Sequence, residues 1–238
     1  MEYGWPSQPQ GDAGVPLLPK PAADGPVSVA ELQHPLRGKA RALILKAESD
    51  LQARKIQKCF DDLDKAVKIP SAVPYAHSVR GAAFLLGGRV SEALAELQEA
   101  VAVLRLSGNY SNLAYAHLLN GETGRAEKEL HRALELNTSA PQSRFLMGLV
   151  LLDSRPRNEE ACDNLEEAGS LTPIVHVALA ICYERGGRGN AADRQIREYL
   201  GPSRESRFDT WKQWVVSTAA EKNPSTAFGL PPQSQSSN

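Results

Sequence analysis

The chain is poor in the residues that mark most functional classes. Only three of its 238 residues are cysteine, Cys59, Cys162 and Cys182, an odd number without metal-ligand spacing. That argues against a disulfide framework and against a thiolate metal site. The five histidines, His34, His77, His117, His131 and His176, show no ligand spacing either. No Ser-His-Asp, Cys-His or paired-carboxylate set can be assembled, so the chain reads as a non-enzyme, with no cofactor and no metal. Charge of one sign is also missing. A formal net charge of −1 gives no electrostatic reason to bind nucleic acid or an anionic membrane surface. No apolar run is long enough to span a bilayer, and MEYGWPSQPQ lacks the basic, then apolar, order of a secretory signal. A cytoplasmic protein without membrane insertion is the expectation.

What is present is a core-forming composition, 42% hydrophobic and 23% charged, unevenly punctuated by proline. Seven of the sixteen prolines fall before residue 36 (Pro6, Pro9, Pro16, Pro19, Pro21, Pro26 and Pro35). Residues 1–38 therefore read as an extended or disordered arm, with a short strand conceivable at Val27–Leu32. None occurs between Pro74 and Pro141. Pro74, Pro141 and Pro173 stand at expected helix starts, where a missing N–H costs little.

From Lys39 onward the apolar period is helical. In the stretch from Ser107 to Ala140, Tyr110, Leu113, Ala114 and His117 share one helical face, and Ala126, Leu130, Ala133 and Leu134 share another. Asn120-Gly121 breaks the pattern between them, because glycine enters a left-handed turn without a Cβ clash. One such hairpin cannot bury both of its faces, so it requires neighbours of the same kind. They are found: a small residue recurs on each second helix at Cys59, Ala93, Ala126, Ala161 and Ala192. Thr172 and Asn158 read as N-caps, and Cys59 and Cys162 as small apolar packing groups. Gly186-Gly187-Arg188-Gly189 lacks the preceding strand and the Lys-Ser/Thr of a phosphate loop, and reads as a turn.

These residues resemble the tetratricopeptide repeat (TPR) family, whose pattern runs bulky residue, Leu-Gly, aromatic, Gly turn, Ala, bulky residue, Ala and often Pro. The third unit matches with Tyr110, Leu113-Ala114, His117, Gly121, Ala126, Leu130 and Ala133. The fourth matches with Met147-Gly148, Ala161, Leu165, Ala168 and Pro173, with one extra residue in its turn. The fifth matches with Leu179-Ala180, Tyr183, Gly187 and Ala192, but carries Tyr199 where Ala is usual. The first departs most, with Cys59 for Ala and Asp50 for the aromatic.

The resemblance implies an all-α right-handed solenoid of five helix hairpins. The repeats are expected at about 40–73, 74–106, 107–140, 141–172 and 173–203. A capping helix is expected at 204–221, carrying Trp211 and Trp214, followed by a disordered tail at 222–238. It also implies a concave groove lined by first helices. The lining falls on Ile44, Glu48, Ser78, Ala82, Ser111, Tyr115, Phe145, Leu149, Val177 and Ile181. Only Asn112 nearby suits a clamp for a terminal carboxylate, which disfavours that mode. An apolar groove instead suits an apolar or amphipathic protein or peptide segment. The expected function is an interaction scaffold. The alternative is a self-associating structural protein that uses the groove or the capping helix as its interface.

Overall fold

The computed structural model describes residues 32–154, 157–169, 171–201 and 207–230, and its regular structure there is helical throughout. The strand expected at 27–32 lies outside these residues apart from Leu32. The described chain divides into two compact units, residues up to Asn120 with Lys128–Thr138, and Gly121–Glu127 with Ser139 onward.

The N-terminal unit contains α1 (Gly38–Gln52), α2 (Ile56–Ala66), a 3-10 turn (Pro70–Ala72), α3 (Val73–Leu86), α4 (Val90–Val103) and α5 (Ser107–Leu119). Most of α6 (Thr123–Leu136) belongs with it. Helices α1 and α2 form one antiparallel hairpin, and α3 and α4 the next. Ala40, Ile44, Ala47 and Leu51 of α1 meet Cys59, Leu63 and Ala66 of α2 in a continuous core. Phe60 of α2 packs on Phe84 of α3, ring centroids 5.2 Å apart, and Arg89 caps the Phe84 face at 4.4 Å. Tyr75 donates its hydroxyl to the His34 carbonyl at 2.7 Å, tying the segment before α1 to α3.

Small residues permit this packing. A Cβ on Gly81 would lie 2.5 Å from Leu97 Cγ, so the α3–α4 crossing requires glycine there. The hairpin turns use a left-handed residue at corresponding places, Gly88, Gly121 and Gly187, but the first hairpin places Arg54 at φ 58°.

The C-terminal unit contains α7 (Pro141–Leu152), α8 (Asn158–Ala168), α9 (Ile174–Arg185), α10 (Gly189–Leu200), α11 (Phe208–Ala220) and a 3-10 turn (Pro224–Phe228). Every residue of α7 from Phe145 to Leu152 is buried. Gly148 repeats the Gly81 device, its Cβ position 2.5 Å from Leu165 Cγ. The five recurring small residues are all essentially inaccessible, as are Leu63, Leu97, Leu130 and Leu165 beside them. Each such leucine contributes about 1.5–3 kcal/mol on burial.

Tyr199, the departure from Ala in the fifth hairpin, has a physical reason. Its ring packs 4.7 Å from that of Trp211 on α11, and Trp211 in turn meets Trp214 at 5.5 Å. A larger residue on the last second helix thus seats the cap that covers it.

Four expectations are corrected. Cys162 of α8 and Cys182 of α9 form a disulfide with Cα atoms 5.7 Å apart, where the sequence argues against one. Adjacent hairpins bring the two together, which spacing along the chain cannot reveal. Asn158 is the first residue of α8 rather than its cap; its amide donates to the Cys182 carbonyl at 3.1 Å. Thr172 caps nothing through its side chain, and its buried hydroxyl has no hydrogen-bond partner among the described residues. Residues 222–230, expected to begin a disordered tail, turn back and pack, with Pro224, Ser225, Phe228 and Leu230 buried.

Candidate functional site

The expected groove positions sit on first helices in both units. In the N-terminal unit, Ile44 and Ala82 are each 1% exposed and belong to the α1–α3 core. Ser111 is buried, donating its hydroxyl to the Ser107 carbonyl at 2.9 Å, an i−4 bond within α5. Ser78 is half-buried and donates to Asn109 Oδ1, while Asn109 donates to the Leu104 carbonyl at 3.0 Å. That chain fixes α3 to the start of α5. Asn112 is buried in α5 rather than presented to solvent.

Glu48 and Tyr115 complete the half-exposed set. Burial of its surroundings raises the Glu48 carboxyl above the ordinary carboxylate range, and raises the Tyr115 phenol likewise. Tyr115 packs against the cluster of Leu85, Ala93, Leu97, Leu113 and Ala116 and is itself half-buried.

In the C-terminal unit, Phe145, Leu149, Val177 and Ile181 are at most 2% exposed. First helices are covered on more than one side, so an apolar position on a helical wheel need not face outward. Of the ten positions, then, Glu48, Ser78 and Tyr115 reach the surface. Trp211 is 1% exposed and serves the core.

One polar feature escaped sequence reasoning. His77 Nδ1 lies 2.7 Å from Glu96 Oε2, and His176 Nδ1 lies 2.7 Å from Gln195 Oε1, each pair 19 residues apart. Arg144 donates to Asn164 Oδ1 at 3.0 Å, 20 residues apart across the hairpin with the extra turn residue. The same first-helix position thus bonds the same second-helix position in three hairpins. Its signal was a polar residue three places after Pro74, Pro141 and Pro173. Asp62 accepts from Lys46 at 2.6 Å and Lys65 at 2.8 Å, which holds its carboxyl below the ordinary range. Among the described residues, no group of three or more His, Cys, Asp or Glu side chains is arranged to hold a metal ion. No helix there is long and apolar enough to cross a membrane.

No protein-family model and no curated protein sequence matches the chain. Solved structures do. PilF of Pseudomonas aeruginosa superposes with a TM-score of 0.63 at 18% identity, covering 80% of this chain and 89% of that one. A thermophilic TPR protein of Thermus thermophilus gives 0.57 at 20% identity, over 75% and 99% of the two chains. YrrB, described as a TPR protein with an unusual peptide-binding site, gives 0.55 at 15% identity, over 78% and 98%. The fold is the tetratricopeptide-repeat fold. The small residues of the chain are the ones the helix crossings of this fold need, Gly81 and Gly148 on first helices and Ala93, Ala126, Ala161 and Ala192 on second helices. Its half-exposed first-helix residues Glu48, Ser78 and Tyr115 are the candidate contact positions of the N-terminal unit.

Proposed function

We propose that this TPR chain is a non-enzymatic protein-interaction scaffold. It takes an apolar or amphipathic partner segment on the first-helix face of its N-terminal unit. The observation that carries the reading is Tyr115: an aromatic residue of a first helix seated on an apolar cluster and only half-buried. Such a rigid aromatic contributes contact area at little entropic cost, because its rotamer is already set by packing. The peptide-binding site named for YrrB supports the same use of this fold.

The test is capture from lysate with wild-type protein beside Tyr115→Arg and Glu48→Lys, bound species being identified by mass spectrometry. A partner held by wild type and lost from Tyr115→Arg, with helicity unchanged, is the expected result. Equal recovery by all three sinks the reading. Light scattering over a dilution series checks self-association separately.

A further inference from the structure

The segment after α11 makes a short, specific contact with the C-terminal unit. The Ser225 N–H donates to Asp153 Oδ1 at 2.9 Å, and the Ser225 hydroxyl donates to Asp153 Oδ2 at 2.6 Å. Arg185 at the end of α9 donates to the Ala219 and Glu221 carbonyls, at 3.3 and 2.8 Å, steering the chain as it leaves α11. The 3-10 turn then packs on α7 and α11, burying Pro224 and Phe228, with Leu230 following. Thr226 closes the turn onto the Asn223 carbonyl at 2.8 Å.

Asp153 is the key to this contact. It follows the last residue of α7, where the helix dipole disfavours a negative charge. Both of its oxygens take a donor from one residue of the returning segment, a two-point, charge-assisted grip. Among the described residues, the apolar anchors of the segment beside that grip are Pro224, Phe228 and Leu230.

We propose that this face is a docking site for an external peptide segment, with residues 221–230 as its resident, displaceable occupant. The partner chemistry follows from the occupant. A hydroxyl residue places its N–H and O–H on the Asp153 carboxylate, and a large apolar residue follows three positions later, as Phe228 follows Ser225. The inference deepens the scaffold reading and rests on it. A tethered occupant competes at an effective concentration of about millimolar, so a segment in trans binds weakly until the latch is loosened.

The probe is a fluorescein-labelled peptide of residues 221–230, added to full-length protein and followed by polarisation. Ser225→Asp, which sets a second carboxylate against Asp153, opens the face. The peptide is expected to bind this variant at least tenfold more tightly than wild type. Adding Asp153→Ala, which removes the grip without re-pairing position 225, is expected to cost at least tenfold of that binding. Phe228→Ala is the second latch variant, and decides the matter if Ser225→Asp loses helicity. Equal binding to wild type and a folded latch variant, or no binding to either, overturns the proposal. Indifference to Asp153→Ala also overturns it. If the peptide fails while a Tyr115-dependent partner is still captured, the scaffold reading stands and the docking face falls.

Discussion

Substituting alanine for Gly148 sets two terms of similar size against each other, and the geometry decides the sign. In a helix interior, Gly→Ala gains about 0.8–1 kcal/mol from the smaller entropy of the unfolded chain. Against this, the new Cβ would lie 2.5 Å from Leu165 Cγ, 2.7 Å from Leu165 Cδ2 and 3.2 Å from the Ala161 carbonyl oxygen. Carbon atoms in contact prefer about 3.5–4 Å. Leu165 is fully buried and would have to retreat by roughly an ångström into packed neighbours. Overpacking of this kind costs about 1–3 kcal/mol. The net expectation is a loss of up to about 2 kcal/mol. Gly124, in the first turn of α6, is the internal control, because a Cβ there meets nothing within 4 Å. Gly124→Ala is expected to gain about 0.5 kcal/mol. Urea titration followed by far-ultraviolet circular dichroism measures both. In the Gly148→Ala background, Leu165→Ala should cost at least about 1 kcal/mol less than in wild type, since the larger side chain is then the problem. Gly148→Ala stabilising as much as Gly124→Ala would refute the close-approach argument.

Three further outcomes are expected. Arg54→Gly should raise stability by about 0.5–1 kcal/mol in the same titration, because Arg54 holds φ 58° where glycine is unstrained; a loss would show that the arginine side chain outweighs its backbone. Burial pushes the Cys59 thiol up to about 11, and Cys162 and Cys182 are bonded to each other. Ellman's reagent at about pH 8 should therefore find no fast thiol in folded protein. It should find one in guanidinium and three after reduction; three without reductant would exclude the disulfide. Asp62, whose carboxyl is held low by Lys46 and then Lys65, contributes stability above its ordinary value near 4 that is lost as pH falls through its lower folded value. The gap in Tm between wild type and Asp62→Asn should accordingly be open at about pH 6 and closed by about pH 2; a constant gap would assign the effect to packing.

The repeated hairpins were legible because their burial is local. Cys59, Ala93, Ala126, Ala161 and Ala192 all lie inside crossings whose chemistry recurs along the chain, so periodicity alone finds them. The contact surface was much less legible. Ile44, Phe145 and Ile181 share the helical positions that first helices can turn outward, yet each is enclosed. A wheel shows which residues are apolar, not which of two apolar sides a neighbour covers. The 19-residue pairing of His77 with Glu96 and His176 with Gln195 was visible as spacing but carried no meaning until the hairpins closed. The Ser225–Asp153 contact links positions 72 residues apart through a single turn. A composition rich in proline, glutamine and serine averages over so small an anchor.

The bond between Cys162 and Cys182 encloses the connection from α8 to α9. A single proteolytic cut anywhere inside that loop would sever the polypeptide without parting its pieces. On a denaturing gel the nicked protein would migrate close to intact protein until a reductant released two fragments. Damage at this junction is thus invisible to any assay of size run under oxidising conditions, and a preparation that looks whole there carries its breaks with it.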